Sequence, residues 1–145
     1  MNRLFQRPIL LLVYTDGAIR PERGLSGLAA IVREEGGRIL HWKCRRAGRL
    51  TCNEAEYAAA IMALEFMRSL RPQEIRLYSD SQVLVQQMSG LAAARAPALR
   101  QAQIRLSSLV LDFQRVSFHH IPREQNRLAD ALANEAVDGD GREWA

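Results

Sequence analysis

An unbroken apolar run from Pro8 to Thr15 is the feature that most restricts how this chain can fold. A strand with one face in water alternates apolar and polar residues, whereas a strand covered on both faces is apolar throughout. The run is far too short to span a membrane. It passes directly into Asp16-Gly17 with no small-residue cleavage site, so a signal peptide is not favoured. We therefore expect a central strand of a covered sheet.

The remaining sequence alternates between strand and helix patterns. Glu35-Gly36-Gly37 is a hairpin signal between two strands, and apolar residues at helical spacing, bounded by Pro and Gly, predict the helices. Thr51 or Asn53 could cap the first helix, and Asn126 the last. The expected elements are strands 8–15, 28–33 and 38–45, helix 51–70, strand 74–79, helices 81–89 and 97–113, strand 116–121 and helix 126–137. The order βββαβααβα predicts an α/β fold with a five-stranded mixed sheet and helices on both faces.

Length and composition are those of a single globular domain. The chain has 145 residues, of which 48% are hydrophobic and 25% are charged, so we expect one domain over residues 1–137 and a tail over 138–145. Within that tail, Asp138-Gly139-Asp140-Gly141 lacks the later ligands of a calcium loop. Cys44 and Cys52 have neither metal-ligand spacing nor the density of a disulfide scaffold, which favours free thiols and a cytoplasmic location.

The positive charge of the chain is carried almost entirely by arginine. The net charge is +4, and arginine suits bidentate recognition of phosphate. A genome rich in G and C would produce the same bias through its codons. The charge therefore indicates a nucleic-acid partner only in combination with a site for phosphate chemistry.

Four carboxylates from distant segments each lie at a predicted strand end or near a helix start: Asp16, Glu56, Asp80 and Asp130. Ligands of open α/β sheets bind beyond the carboxyl ends of parallel strands, where Asp16 and Asp80 are expected. Acids brought together in this way repel one another unless a cation neutralises them. The pattern predicts a hard-metal site, with Mg²⁺ as the expected ion, suited to chemistry on phosphate.

Each acid also has a simpler structural interpretation. Asp16 before Gly17 could be a turn residue, Asp80 could cap the following helix, and Asp130 could be surface charge. Glu54 competes with Glu56, because both lie in the first helical turn, where carboxylates favour the helix dipole. The metal-site hypothesis accounts for all four positions together.

Four segments in this order resemble those of a type 1 ribonuclease H: T-D-G-A at 15–18, T-C-N-E-A-E-Y at 51–57, S-D-S-Q at 79–82 and N-R-L-A-D at 126–130. The resemblance covers roughly residues 8–137. The segment P-R-E-x-N-x-x-A-D is closer to archaeal and some bacterial members. Residues 91–98 are rich in alanine where other members carry a lysine-rich protrusion. Arg95, Arg100 and Arg105 could partly replace that protrusion or could simply be solvated.

The resemblance implies a ribonuclease H fold and an endonuclease that cuts the RNA strand of RNA/DNA hybrids. The products would carry 5′-phosphate and 3′-hydroxyl ends, and the enzyme would use two Mg²⁺ ions, with Mn²⁺ as a possible substitute. Asp16 would bridge both ions, Glu56 and Asp80 would complete one site, and Asp130 would help to hold the other. Family spacing selects Glu56 over Glu54. His120 matches a loop histidine associated with proton transfer or product release, although a structural role is the alternative.

Substrate contacts follow from the same resemblance. Arg49 and Thr51 match residues that cradle a DNA phosphate, whereas Asn53 and Gln82 match residues that reach the minor groove, where 2′-hydroxyls mark RNA. Cys52 replaces the usual asparagine, which puts one groove contact in doubt. The expected partner is an RNA/DNA hybrid bound by a monomer, with no membrane involved. Two rival functions are a non-catalytic module that binds hybrid or double-stranded RNA, and an exonuclease or reverse-transcriptase-like domain of the same superfamily.

Overall fold

The computed structural model describes residues 7–90 and 92–139, which form a five-stranded mixed sheet flanked by helices. The strand order across the sheet is β3-β2-β1-β4-β5. β1 pairs antiparallel with β2 and parallel with β4, β2 pairs antiparallel with β3, and β4 pairs parallel with β5. The strands are β1 Leu10–Arg20, β2 Leu25–Glu34, β3 Ile39–Ala47, β4 Glu74–Ser79 and β5 Arg115–His120. The predicted architecture is confirmed.

The helices cover both faces of this sheet, as the sequence predicts. They are α1 Cys52–Leu70, α2 Gln82–Met88, α3 Pro97–Val110 and α4 Arg127–Asp138. Residues of α1, α2 and α3 bury one face in a core that includes Leu11, Val13 and Leu77. Ala133 and Ala136 of α4 pack on the opposite face in a second, smaller cluster. Alternation of side chains along β2 supplies both clusters, which explains its nearly continuous burial.

β1 differs from its prediction, because it extends five residues past Thr15. Pairing with β4 ends at Tyr14, whereas pairing with β2 continues as far as Arg20. Asp16 was expected at the end of a strand and instead lies within β1. It nevertheless lies beyond the last parallel pair, so the expectation that it projects from the carboxyl edge of the parallel strands holds.

α4 packs closely against the sheet, and arginine side chains bind its carboxyl end. A Cβ atom on Gly27 of β2 would collide with the backbone of Ala133, so only glycine permits this separation. The Arg46 guanidinium donates to the Val137 and Gly139 carbonyls at 3.2 and 2.7 Å. Further tethers come from Arg20 and Arg23, which both pair with Asp138.

The predicted boundary between the domain and its carboxyl-terminal tail falls close to the end of the last helix. α4 ends at Asp138, one residue into the expected tail, and residues 140–145 lie outside the described part of the chain. Within the described residues, no helix combines the length and apolarity needed to cross a membrane. Eight residues separate α2 from α3, and Leu91 among them is also outside the description.

Candidate active site

Gly17 brings the first two carboxylates together. A Cβ atom at this position would lie 2.7 Å from the Ala55 backbone, so the absence of a side chain lets α1 approach β1 closely. The Gly17 amide donates to Asp16 Oδ1 at 3.0 Å and to Glu56 Oε1 at 3.2 Å. One backbone N–H therefore orients carboxylates that are 40 residues apart in sequence. Asp16 itself is only 4% exposed.

A capping box fixes the start of α1 and the position of Glu56. The Thr51 hydroxyl accepts from the Glu54 amide at 3.2 Å, and Glu54 Oε1 accepts from the Thr51 amide at 2.9 Å. Glu54, the rival of Glu56 in the first helical turn, thus has a structural role as part of this cap. Glu56 faces Asp16, as family spacing suggested. Helical periodicity alone could not have separated these two acids.

Asp80 follows β4 directly and does not cap α2. The cap is Ser81, whose hydroxyl accepts from the Leu84 amide at 3.2 Å. Ser79 Oγ in turn accepts from the Ser81 amide at 3.0 Å and holds the turn. The Asp80 carboxylate is therefore free to face the other acids. Among the described residues, Asp16, Glu56 and Asp80 offer oxygens that all lie within 4.8 Å of one another.

Asp130 lies in the first turn of α4, at the edge of this cluster and outside the group of three. Asn134 Nδ2 donates to the Asp130 carboxylate at 3.3 Å and to its main-chain oxygen at 2.8 Å. Arg123 Nη2 lies 3.8 Å from Asp130 Oδ1. The negative charge of Asp130 contributes to the raised pKa of Asp16, so the fourth acid shares the electrostatic environment of the other three.

Where no cation neutralises them, burial and crowding disfavour the charged form of the three clustered carboxyls, Asp16, Glu56 and Asp80. Burial, followed by the charge of Asp80, raises the pKa of Asp16 well above its usual range. Burial and the charge of Asp16 raise the pKa of Glu56 still further. Burial also raises the pKa of Asp80, although the nearby Arg123 guanidinium opposes that shift. Desolvation and mutual repulsion are thus both present at this site.

The residues present fit a hard divalent cation. All the converging donors are carboxylate oxygens, the ligand type preferred by Mg²⁺ and Mn²⁺. Glu56 Oε2 is buried and has no hydrogen-bond partner among the described residues. Bound cations would supply that partner and would neutralise the repulsion that raises the pKa values. Asp16, Glu56 and Asp80 are therefore suited to hold such an ion.

An open cleft of about 480 Å³ contains the cluster, and Cys52 lines it together with the acids. His120, at the end of β5, lines the same cleft. Its neighbour His119 points to the other face, where it stacks on Tyr78 with ring centroids 5.2 Å apart. Arg123 also lines the cleft and was not singled out from the sequence. The signal for it, an arginine seven residues before Asp130, gains meaning only when the turn between β5 and α4 is known.

The four residues predicted to contact substrate lie outside the lining of this cleft. Thr51 uses its hydroxyl oxygen in the capping box, and Arg49 Nη1 donates to the Pro21 carbonyl at 2.8 Å. Asn53 is partly buried in the first turn of α1, and Gln82 is exposed at the start of α2. Of the arginines considered as substitutes for the protrusion, Arg105 pairs with Glu65 at 2.9 Å.

Comparison with known proteins gives a consistent family. Residues 14–136 match a family described as reverse transcriptase-like. Ribonuclease HI of Halobacterium salinarum is 38% identical over 125 residues, which cover 86% of this chain and 63% of that protein. The crystal structure of RNase H1 from the same archaeon matches with a TM-score of 0.84 and 36% identity, over 88% of this chain and 96% of the solved one.

Two further matches differ in what they contain. Bifunctional protein Rv2228c of Mycobacterium tuberculosis is 32% identical over 88% of this chain but only 35% of its own length. The chain thus spans less than two thirds of these curated relatives. LC11-RNase H1, solved in complex with an RNA/DNA hybrid, matches with a TM-score of 0.81 and 35% identity, over 88% of this chain and 96% of that one.

Proposed function

Because this chain belongs to the ribonuclease H family, we propose that it is a metal-dependent endonuclease that hydrolyses the RNA strand of RNA/DNA hybrids. The observation that carries the proposal is the cluster of Asp16, Glu56 and Asp80, whose oxygens lie within 4.8 Å of one another in an open cleft. A module that only bound hybrid would have no use for buried acids that raise one another's pKa. The hybrid complex of LC11-RNase H1 supports the choice of substrate.

In this proposal two Mg²⁺ ions, or Mn²⁺ as a substitute, are held by the acids. When bound, such ions polarise a phosphate and generate a nucleophile from water near neutral pH. Asp16 would contribute to both ion sites, Glu56 and Asp80 to one, and Asp130 to the other. The Gly17 amide keeps the carboxylates of Asp16 and Glu56 in one orientation, which reduces reorganisation during the reaction.

Residues at the rim of the cleft would transfer a proton and bind a phosphate of the substrate. His120 is exposed beside Asp80, so its imidazole is available to exchange a proton with solvent and the leaving 3′-oxygen. Arg123 would donate to a non-bridging phosphate oxygen, because its guanidinium projects from the same rim. Cleavage would leave a 5′-phosphate and a 3′-hydroxyl.

Substrate discrimination would come from residues beside the cleft. We propose that Arg49 and Thr51 contact the DNA backbone, and that Asn53 and Gln82 read the minor groove. Arg49 would have to exchange its bond to the Pro21 carbonyl for a phosphate. Monomeric binding and a cytoplasmic location belong to the same proposal, and the absence of a disulfide between Cys44 and Cys52 among the described residues suits a reducing compartment.

The decisive experiment is cleavage of a hybrid with a labelled RNA tract flanked by DNA on the same strand. With Mg²⁺, the protein should cut inside the tract and should leave single-stranded RNA and duplex DNA intact. The Asp80→Asn variant removes one ligand oxygen charge without changing shape, so activity should fall by about a thousandfold or more. Asp112→Asn, a matched loss of one carboxylate charge where Asp112 pairs with Arg68, should cut normally.

The same assay separates the rival functions. Products that shorten stepwise from one RNA end would identify an exonuclease rather than an endonuclease. Tight hybrid binding with no cleavage in either Mg²⁺ or Mn²⁺ would refute the proposal and identify a recognition module. Equal cleavage by wild type and Asp80→Asn would refute the assignment of the site.

A further inference from the structure

We infer that Asn126 is a positioning residue that sets the Asp130 carboxylate against Asp16 and thereby determines how tightly the second ion is held. The inference rests on the proposed function for the identity of the ion site. Its structural basis is a buried amide that joins the helix carrying one acid to the strand carrying the other.

The Asn126 side chain bridges α4 and β1 at the level of the site. It is 2% exposed, and its Nδ2 donates to the Thr15 carbonyl at 2.9 Å. Thr15 immediately precedes Asp16 and is the first residue beyond the last pair between β1 and β4. The amide thus binds β1 where β4 no longer pairs with it, and this bond joins residues 111 positions apart.

Asn126 occupies the N-cap position of α4, as the sequence predicts, but its side chain does not make the capping bond. An asparagine at this position normally accepts from the second or third amide of the helix, but its side chain makes no such bond here. Its main chain nevertheless begins the turn that contains Asp130, because the Asp130 amide donates to the Asn126 carbonyl at 3.0 Å. The Asn126 amide also donates to the Arg123 carbonyl at 3.0 Å. Asn126 therefore links three segments: β1, the turn at Arg123 between β5 and α4, and the first turn of α4.

The amide oxygen of Asn126 argues against a purely stabilising role for this side chain. Asn126 Oδ1 is buried and has no hydrogen-bond partner in the described part of the chain. A buried acceptor without a partner disfavours folding, so a serine that caps the helix conventionally would serve stability better. Serine, however, has no side-chain amide that could donate to the Thr15 carbonyl. The geometry thus suits placement of Asp130 more than retention of α4.

The test compares Asn126→Ser with wild type and with Arg46→Gln. Serine is a good helix cap and should preserve folding while removing the bridge to Thr15. Arg46→Gln weakens the attachment of the same helix at its far end, where Arg46 donates to the Val137 and Gly139 carbonyls. Mn²⁺ binding without substrate is measured by electron paramagnetic resonance, beside thermal unfolding and the Mg²⁺ dependence of hybrid cleavage.

We expect Asn126→Ser to weaken binding of the second Mn²⁺ ion by about tenfold or more and to raise the half-saturating Mg²⁺ concentration similarly, as is usual when a group that orients a ligand is lost. The KM for hybrid should change less than about twofold, since substrate contacts are intact. Arg46→Gln should lower thermal stability without weakening Mn²⁺ binding; its lost positive charge would, if anything, strengthen it.

Unchanged Mn²⁺ binding in a folded Asn126→Ser protein would overturn the inference, as would an equal loss in Arg46→Gln. If Asn126→Ser does not fold, the neutral Asn126→Thr also lacks the Nδ2 donor, keeps a capping hydroxyl and fills more of the side-chain volume, and the same criterion applies to it. A wild-type protein that binds Mn²⁺ in an Asn126-dependent manner but cuts no hybrid would leave this inference standing and refute the proposed function alone.

Discussion

Glu56 is held in the folded protein under conditions that disfavour its charge. Burial and the neighbouring Asp16 raise the pKa of Glu56 far above its ordinary value. The folded state therefore binds a proton that the unfolded chain has released once the pH exceeds the usual carboxyl range near 4. Since stability falls wherever the folded state binds more protons, the metal-free protein should lose stability as pH rises from that range.

We predict that Glu56→Gln stabilises the metal-free protein at pH 8, by about 1 kcal/mol or more, because one pKa unit corresponds to 1.36 kcal/mol. The gain should vanish at pH 4 and below, where the carboxyl is protonated in both states. Urea unfolding at the two pH values with a chelator present measures the effect, and hybrid cleavage should be abolished in the same variant. A variant less stable than wild type at pH 8 would show that Glu56 is not strained by its neighbours.

Arg123 offers a positive charge at the rim of an acidic cleft. It lies 3.8 Å from Asp130 and opposes the upward shift of the Asp80 pKa. Its side chain is 78% exposed, so it can reach a phosphate at little structural cost. We predict that Arg123→Ala weakens hybrid binding severalfold and reduces the slope of log affinity against log salt by about one, as expected for one lost phosphate contact.

The matched control for Arg123 is Arg127→Ala, which removes an exposed arginine four residues along the same segment that does not line the cleft. Affinity measured by fluorescence anisotropy between low and moderate salt should distinguish the two variants. An identical salt slope for Arg123→Ala and wild type would exclude direct phosphate contact.

The position of Asp130 depends on the distance between α4 and β2. Gly27 lets the backbone of α4 approach β2, and a methyl group there would collide with Ala133. We predict that Gly27→Ala displaces α4, lowers the free energy of unfolding by about 1–3 kcal/mol and reduces cleavage more than hybrid affinity. Gly48→Ala is the control, because a Cβ atom there would meet no atom of the other described residues within 4 Å, its chain neighbours aside. Cleavage unchanged in a destabilised Gly27→Ala protein would show that Asp130 tolerates movement of its helix.

Element types were predictable because the periodicity of apolar residues is a local signal. β4 was predicted with its observed bounds, and α1 nearly so, since Thr51 and Pro72 mark its ends. The extension of β1 to Arg20 was not predictable locally, because it depends on pairing with β2 past the point where β4 stops. Asn126 occupies the predicted N-cap position, but the bond made by its side chain was not predictable for the same reason: its partner, Thr15, is 111 residues away.

The convergence of three acids could be predicted from the sequence, whereas the groups that orient them could not. Four carboxylates matched motifs in the expected order, and topology brings three of them within 4.8 Å. Arg123 and Asn126 stand in the segment P-R-E-x-N-x-x-A-D, but their roles could not be read from it, because arginines are frequent in this chain and asparagine before a helix usually indicates a cap. Which polar residues orient the acids depends on three-dimensional distances, so only the folded structure reveals them.

Stability of the whole molecule should depend jointly on metal and pH. Cations bind the ionised carboxylates of the folded state and displace the protons that the raised pKa values of Asp16 and Glu56 retain. A ligand at a hundred times its dissociation constant stabilises the folded state by about 2.7 kcal/mol.

We predict that Mg²⁺ raises the melting temperature by several degrees at pH 8 and by much less at pH 5, where protons compete with the ions for the carboxylates. Asp16→Asn should abolish the increase at pH 8, whereas Asp112→Asn should retain it. A Mg²⁺-induced increase of equal size at both pH values, or one that persists in Asp16→Asn, would show that the ions bind elsewhere on the molecule.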